Sequence, residues 1–214
     1  MGAIAELRIN PEINTQISAA IPSDSIWRLS VANYHTMLQV GIFDEDDQIE
    51  LLEGCLVAKM TKNPPHRLST GLLQDALLAI IPTDYHLNIQ EPITLVDSEP
   101  EPDLTIVRGQ RLDYRDRHPA AGDVVLVIEV SDATLERDRT IKQRIYARAG
   151  IAIYWILNLR DRQLEVYTHP TNQADSEAQY QQCQVFEETE SVPVHWQDGS
   201  GDREFGSICV QDLL

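Results

Sequence analysis

The chain has 214 residues, 43% of them hydrophobic, with 34 Asp and Glu against 17 Lys and Arg and a formal net charge of −17. That length suffices for one domain with a sizeable core. No apolar run approaches the roughly 20 residues that span a bilayer, and the acidity works against loose binding to nucleic-acid phosphates. Cys55, Cys183 and Cys209 are scattered and odd in number, which fits reduced thiols and neither a disulfide framework nor a zinc site. Glu6 precedes any basic residue and no signal-type apolar region follows, so the expected location is the cytoplasm.

Residues 1 to about 28 read as an arm, with Pro11, Pro22 and few aromatics. Ser30 is placed to cap a short helix, Val31 to Val40, that stops at Gly41. Asp44 to Asp47 form an acidic turn. Ile49 to Met60 reads as a hairpin turning at Glu53-Gly54. Pro65 to Ile81 is an amphipathic helix with Leu68, Leu72, Leu73, Ala76, Leu77 and Ile80 on its apolar side. Tyr85 to Gln90 and Pro92 to Val96 look like strands, Asp97 to Glu101 like an acidic turn, and Leu104 to Val107 like a third strand. Arg108 to Gly122 is a charged excursion.

The stretch from Asp123 to Leu157 organises the rest. Val124 to Ile128 is a continuous aliphatic run, the pattern of a strand buried on both faces. Glu129 ends that run. Asp138 to Ala149 reads as a helix with Ile141, Ile145 and Ala149 on one face, and Asp138 and Lys142 one turn apart on the other. Gly150 stops it, and Ile151 to Leu157 is a second buried strand. Such a βαβ unit gathers polar groups at the carboxyl end of its strands. After a turn, Gln163 to Thr168 alternates as a half-exposed strand and Thr171 to Ala178 is a polar loop. Gln181 to Glu187, Ser191 to His195 and Ile208 to Leu214 close the chain with edge strands, whose apolar residues suggest a homodimer.

Two carboxylates stand out. Asp103 opens one buried strand directly after Pro102, and Glu129 closes another. A carboxylate at the end of a buried strand requires a cation or a donor. Two brought close together repel unless a cation lies between them. Hard divalent ions, Mg²⁺ or Mn²⁺, suit such oxygen ligands and support phosphodiester hydrolysis. Lys142 is then available to offset charge at a phosphate or to orient water. The competing reading is a buried ion pair of Glu129 with Arg137 or Lys142. Nine of the 17 basic residues lie between Arg108 and Arg148, either as a face toward nucleic acid or as a solvated face balanced by local acids.

The Pro102-Asp103 pair followed by Glu129-Val130-Ser131 resembles the PD-(D/E)XK, or restriction-endonuclease-like, signature. The run VVLVIEVSDAT, then DRTIKQRIYARAGIAIYWIL, together with IELLEGCLV, is similar to the Uma-two family of bacterial endonucleases over roughly Leu29 to Thr168. The resemblance implies an α/β (α+β) fold. It would be a mixed central sheet flanked by helices, with an extra N-terminal hairpin, in a single domain over residues 29 to 214. It implies that Asp103 and Glu129 bind the metal, Mg²⁺ or Mn²⁺. Ser131 stands where the superfamily usually has lysine, and Lys142 on the following helix takes that part. Glu53 and His66 match accessory positions, while Cys55 departs from a position that is often glutamate. The expected activity is endonucleolytic hydrolysis of DNA, with a non-catalytic oligomeric binding or scaffold protein as the alternative.

Overall fold

The computed structural model describes residues 25–43, 47–171, 178–198 and 201–214. Most of the expected arm, the acidic turn at 44–46 and most of the 171–178 loop lie outside the described residues. Helix α1 (Val31–Gln39) starts where Ser30 Oγ accepts a hydrogen bond from Asn33 N. Strands β1 (Ile49–Leu52) and β2 (Cys55–Ala58) form the expected antiparallel hairpin. Its turn residues Glu53 and Gly54 both have positive φ, 48° and 74°, as a two-residue hairpin turn requires. A Cβ on Gly54 would lie 2.6 Å from Arg28 Cβ, so a side chain has no room there.

Helix α2 (Pro64–Leu78) is capped by Asn63, whose side chain accepts from His66 N. Its two leading prolines occupy the first turn, where a missing N–H costs nothing. Leu73 and Leu77 anchor it to the main core.

Six strands form the central sheet: β3 (Tyr85–Ile89), β4 (Leu104–Arg108), β5 (Val124–Ser131), β6 (Ile153–Asn158), β7 (Gln163–Pro170) and β8 (Tyr180–Glu187). They lie side by side in chain order. Only β5 and β6 are parallel, and a parallel pair needs a crossover. That crossover is helix α3, built of α-helical Leu135–Arg137, π-helical Asp138–Lys142 and α-helical Gln143–Arg148. Strand β5 is buried along its whole length, in keeping with its unbroken aliphatic run. One sheet face packs on α2 and on the hairpin of β9 (Ser191–Asp198) and β10 (Gly201–Cys209), with Trp155, Leu126 and Trp196 in that core. The other face packs on α3 through Val127, Ile145, Tyr146 and Tyr154.

Three expectations change. Pro92 to Val96 is not a strand: Leu95 N bonds to Ser98 O in a turn, and Thr94 makes a single bridge to Ala120. Prolines 92, 100 and 102 supply no N–H and cannot sustain a ladder through this stretch. The closing segment is covered by its own chain, since Ile208, Val210 and Leu213 lie in the main core. Leu214 stays partly exposed beside Leu68. The helix after β5 also begins three residues earlier than its charge pattern suggests and is π-wound in the middle.

Candidate active site

Register places the two expected acids. Leu104 pairs with Ile128 across β4 and β5, and both belong to the main-core face. One residue further along, Asp103 and Glu129 come opposite each other on the other face, because side chains alternate along a strand. Both are buried, and both line a single cavity with Glu50, Lys59, Lys62, His66, Glu101, Asp132, Arg137, Asp138 and Lys142. Its volume of about 80 Å³ takes a few waters, a hydrated ion or one edge of a phosphate, and excludes a base.

Asp103 is tightly held. Its Oδ2 accepts from Val130 N at 2.9 Å and from His66 Nε2 at 3.1 Å. Burial alone would raise its pKa. The bond and charge of His66, the Val130 N–H and the Lys142 ammonium outweigh burial and hold it below the usual carboxylate value. Helix α2 delivers His66 from its first turn, where Asn63 fixes the start of the helix.

Glu129 is the opposite case. Its Oε1 accepts from Lys142 Nζ at 2.9 Å and from the Tyr146 hydroxyl at 2.7 Å. Burial is the largest influence, and with Asp138, Asp103 and Glu50 nearby it pushes the Glu129 pKa up to about 8 in spite of Lys142. Lys142 also feels burial, which alone would lower its pKa. The Glu129, Glu50 and Asp138 carboxylates overcome that and raise it, so the ammonium stays charged. Its second carboxylate contact is Glu50 Oε2, at 3.5 Å.

The buried Glu129–Lys142 pair held open from the sequence forms, and Asp138 and Lys142 do not pair with each other. Both side chains are buried. The π turn widens the helix between them, a feature frequent at functional sites. Each then meets its own partner on the sheet side: Lys142 turns to Glu129, and Asp138 Oδ2 accepts from Ser131 Oγ at 2.7 Å. Ser131 therefore serves the helix–strand junction and does not line the cavity. Glu53 lies away from the cavity as well. It pairs with Arg144 at 2.7 Å and with Arg148 at 3.4 Å, tying the hairpin to α3. The Arg144 bond, opposed by burial, lowers its pKa.

Of the nine basic residues between Arg108 and Arg148, only Arg137 and Lys142 reach the cavity. The others are dispersed, with Arg117 on Asp123, Arg139 on Glu165 and Arg148 on Asp97. The cavity instead draws its basic rim from Lys59 and Lys62, ahead of α2. Glu50, buried beside Lys142, and Tyr146, bonded to Glu129, are site residues that sequence reasoning missed. For Glu50 a signal existed in the chain. In the hairpin strand IELL it alternates with apolar neighbours, so a carboxylate inside a buried hairpin needed a partner.

Among the described residues no group of three or more His, Cys, Asp and Glu is disposed to hold a metal ion. Two carboxylates on one face of the cavity nevertheless suit Mg²⁺, which is commonly bound through one or two carboxylates and keeps several waters. The raised pKa of Glu129 is what a buried acid shows when its charge is under-compensated, and a divalent cation would relieve it.

No match to the chain is found among curated proteins. Among solved structures it is similar to the crystal structure of "a putative nuclease belonging to DUF820 from Anabaena variabilis ATCC 29413", with a TM-score of 0.59 and 14% identity over 86% of this chain and 97% of that chain. At that identity the likeness shows the fold, an α+β architecture around a mixed sheet. The Uma2 family profile, described as "Putative restriction endonuclease", matches residues 31–196, which include every residue of the cavity, and the chain belongs to that family.

Proposed function

We propose that the protein is a metal-dependent endonuclease that hydrolyses DNA phosphodiester bonds in the cytoplasm. The observation that carries this reading is the cross-strand placement of Asp103 and Glu129 on one face of one cavity, with Lys142 against Glu129. Family membership and the nuclease-like fold support it. Asp103 and Glu129 would hold Mg²⁺ or Mn²⁺, which when bound polarises a phosphoryl oxygen and makes water a better nucleophile. His66 fixes the orientation of Asp103 and keeps it ionised. Lys142 holds Glu129 Oε1 and adds a fixed positive charge beneath the reacting phosphate, with Tyr146 sharing the same oxygen. Ser131 and Glu53 act from outside the cavity, by fixing the two ends of α3. A homodimer would form through β8, the edge strand of the central sheet, whose residues 181–185 are exposed.

Nicking of supercoiled plasmid in Mn²⁺ tests the reading. Wild type should nick, and Asp103→Asn and Lys142→Met should be slower by about 10²–10³, the usual effect of removing one positioned electrostatic group. Equal nicking by all three would falsify it. One observation favours the scaffold alternative: Lys142 and Glu129 form a buried ion pair. Calorimetric titration with Mn²⁺ separates the two, since a scaffold would take up no ion in either wild type or Asp103→Asn.

A further inference from the structure

The cations around the cavity are unequally committed. Lys142 is buried against Glu129 and Glu50. Lys59 pairs with Glu101 at 2.8 Å, and Arg137 donates to the Ala58 carbonyl at 3.1 Å. Lys62, on the loop between β2 and α2, has no ion-pair or hydrogen-bond partner among the described residues. It is exposed, yet it lines the cavity that holds Asp103 and Glu129. It also lines the adjoining groove of about 950 Å³ between α1 and the β3 end of the sheet. That groove is large enough for several nucleotides' worth of backbone and bases, whereas the cavity accepts only a phosphate edge.

The groove walls are acidic, with Asp47, Glu91, Glu99 and Glu101. Glu99 is engaged by His35 and Thr94, and Glu101 by Lys59. A phosphodiester moving from groove to cavity therefore passes Lys62 at the junction of the two, a cation without an ion-pair partner among the described residues. Resting on the nuclease reading above, we infer that Lys62 is the substrate-contacting lysine of this site, binding the phosphate that Asp103 and Glu129 address. Lys142 is left as the buried residue that positions Glu129. The helix lysine is too deeply paired to follow a moving substrate, so the loop lysine supplies the contact. Partial desolvation, aided by the neighbouring Lys59 charge, lowers the Lys62 pKa in spite of Asp103, Glu101 and Glu129.

The test compares Lys62→Ala with Arg67→Ala. Arg67 is exposed and lines neither space, so both variants change net charge equally while only one alters the site. The first readout is the salt dependence of binding to a short fluorescein-labelled DNA duplex without divalent metal. Losing one phosphate contact reduces the slope of log K against log salt by about 1. The second is single-turnover nicking of supercoiled plasmid in Mn²⁺, expected to fall about tenfold to a hundredfold and to return largely with Lys62→Arg. Arg67→Ala should match wild type in both. If Lys62→Ala matches Arg67→Ala while Asp103→Asn abolishes nicking, the Lys62 assignment fails and the nuclease reading stands. If wild type neither binds the duplex nor nicks in an Asp103-dependent way, both fail.

Discussion

Lys142 Nζ lies 2.9 Å from Glu129 Oε1 with both side chains buried, and the pair joins the crossover helix to the strand it follows. It is the buried ion pair that the sequence left open as one reading, and its consequences are much larger than those of an exposed one-turn contact with Asp138. Lys142→Met leaves Glu129 without its cation in the interior. Breaking a buried pair from one side typically costs about 3–5 kcal/mol, against about 0.3–0.5 for an exposed helical pair. Urea unfolding above the Glu129 folded value of about 8, where its carboxylate is ionised, should show the larger loss, and a change below about 1 kcal/mol would contradict the burial of this pair.

The raised pKa of Glu129 sets a pH dependence. Its folded value, about 8, lies above its ordinary 4.5. The folded state therefore holds a proton that the unfolded state has released over this interval, and its contribution to stability is fully present below about 4.5. It declines as pH rises through about 8. Glu129→Gln should flatten the stability profile across that window. In the same window, metal uptake should release close to one proton per site. Calorimetry of Mn²⁺ binding in buffers of different ionisation enthalpy measures this, and a heat independent of buffer would contradict it.

Asp103 titrates in the opposite direction. Its folded pKa is lowered by His66, Val130 N–H and Lys142 against burial. Its stabilising contribution is present above its ordinary value and is lost as pH falls through the lowered folded one. His66→Ala removes a part-buried hydrogen bond to the buried Asp103 carboxylate, with an expected loss of about 1–3 kcal/mol. It should also move the acid limb of Mn²⁺ affinity to higher pH. An unshifted limb would mean that His66 does not tune Asp103.

Ser131→Ala leaves the buried Asp138 carboxylate without its 2.7 Å donor. The expected destabilisation is about 1–3 kcal/mol, with Mn²⁺ affinity near that of wild type, because Ser131 does not line the cavity. A loss of metal affinity without loss of stability would place Ser131 in the site itself.

If β8 pairs with a second copy, Val185→Lys should yield monomers by light scattering, since a lysine on an edge strand opposes edge-to-edge pairing. Wild type that is already monomeric at micromolar concentration would exclude the dimer.

Much of this protein was determined locally and was legible in the chain. The unbroken run of β5, the hairpin turn at Glu53-Gly54 and the Ser30 cap follow from side-chain burial and backbone freedom. Asp103 and Glu129 could be paired from sequence because each stands at the end of a buried strand, where an acid needs a reason. Three-dimensional packing decided the rest. The π turn set Asp138 and Lys142 on different partners, which no four-residue spacing reveals. Glu50 and Tyr146 reached Glu129's neighbourhood from a hairpin and a helix far apart in the chain. Arginines clustered in sequence were dispersed, with Arg117 on Asp123, Arg139 on Glu165, Arg144 on Glu53 and Arg148 on Asp97. Charges act through space over a few ångströms, and adjacency in space is a property of the fold and not of the chain.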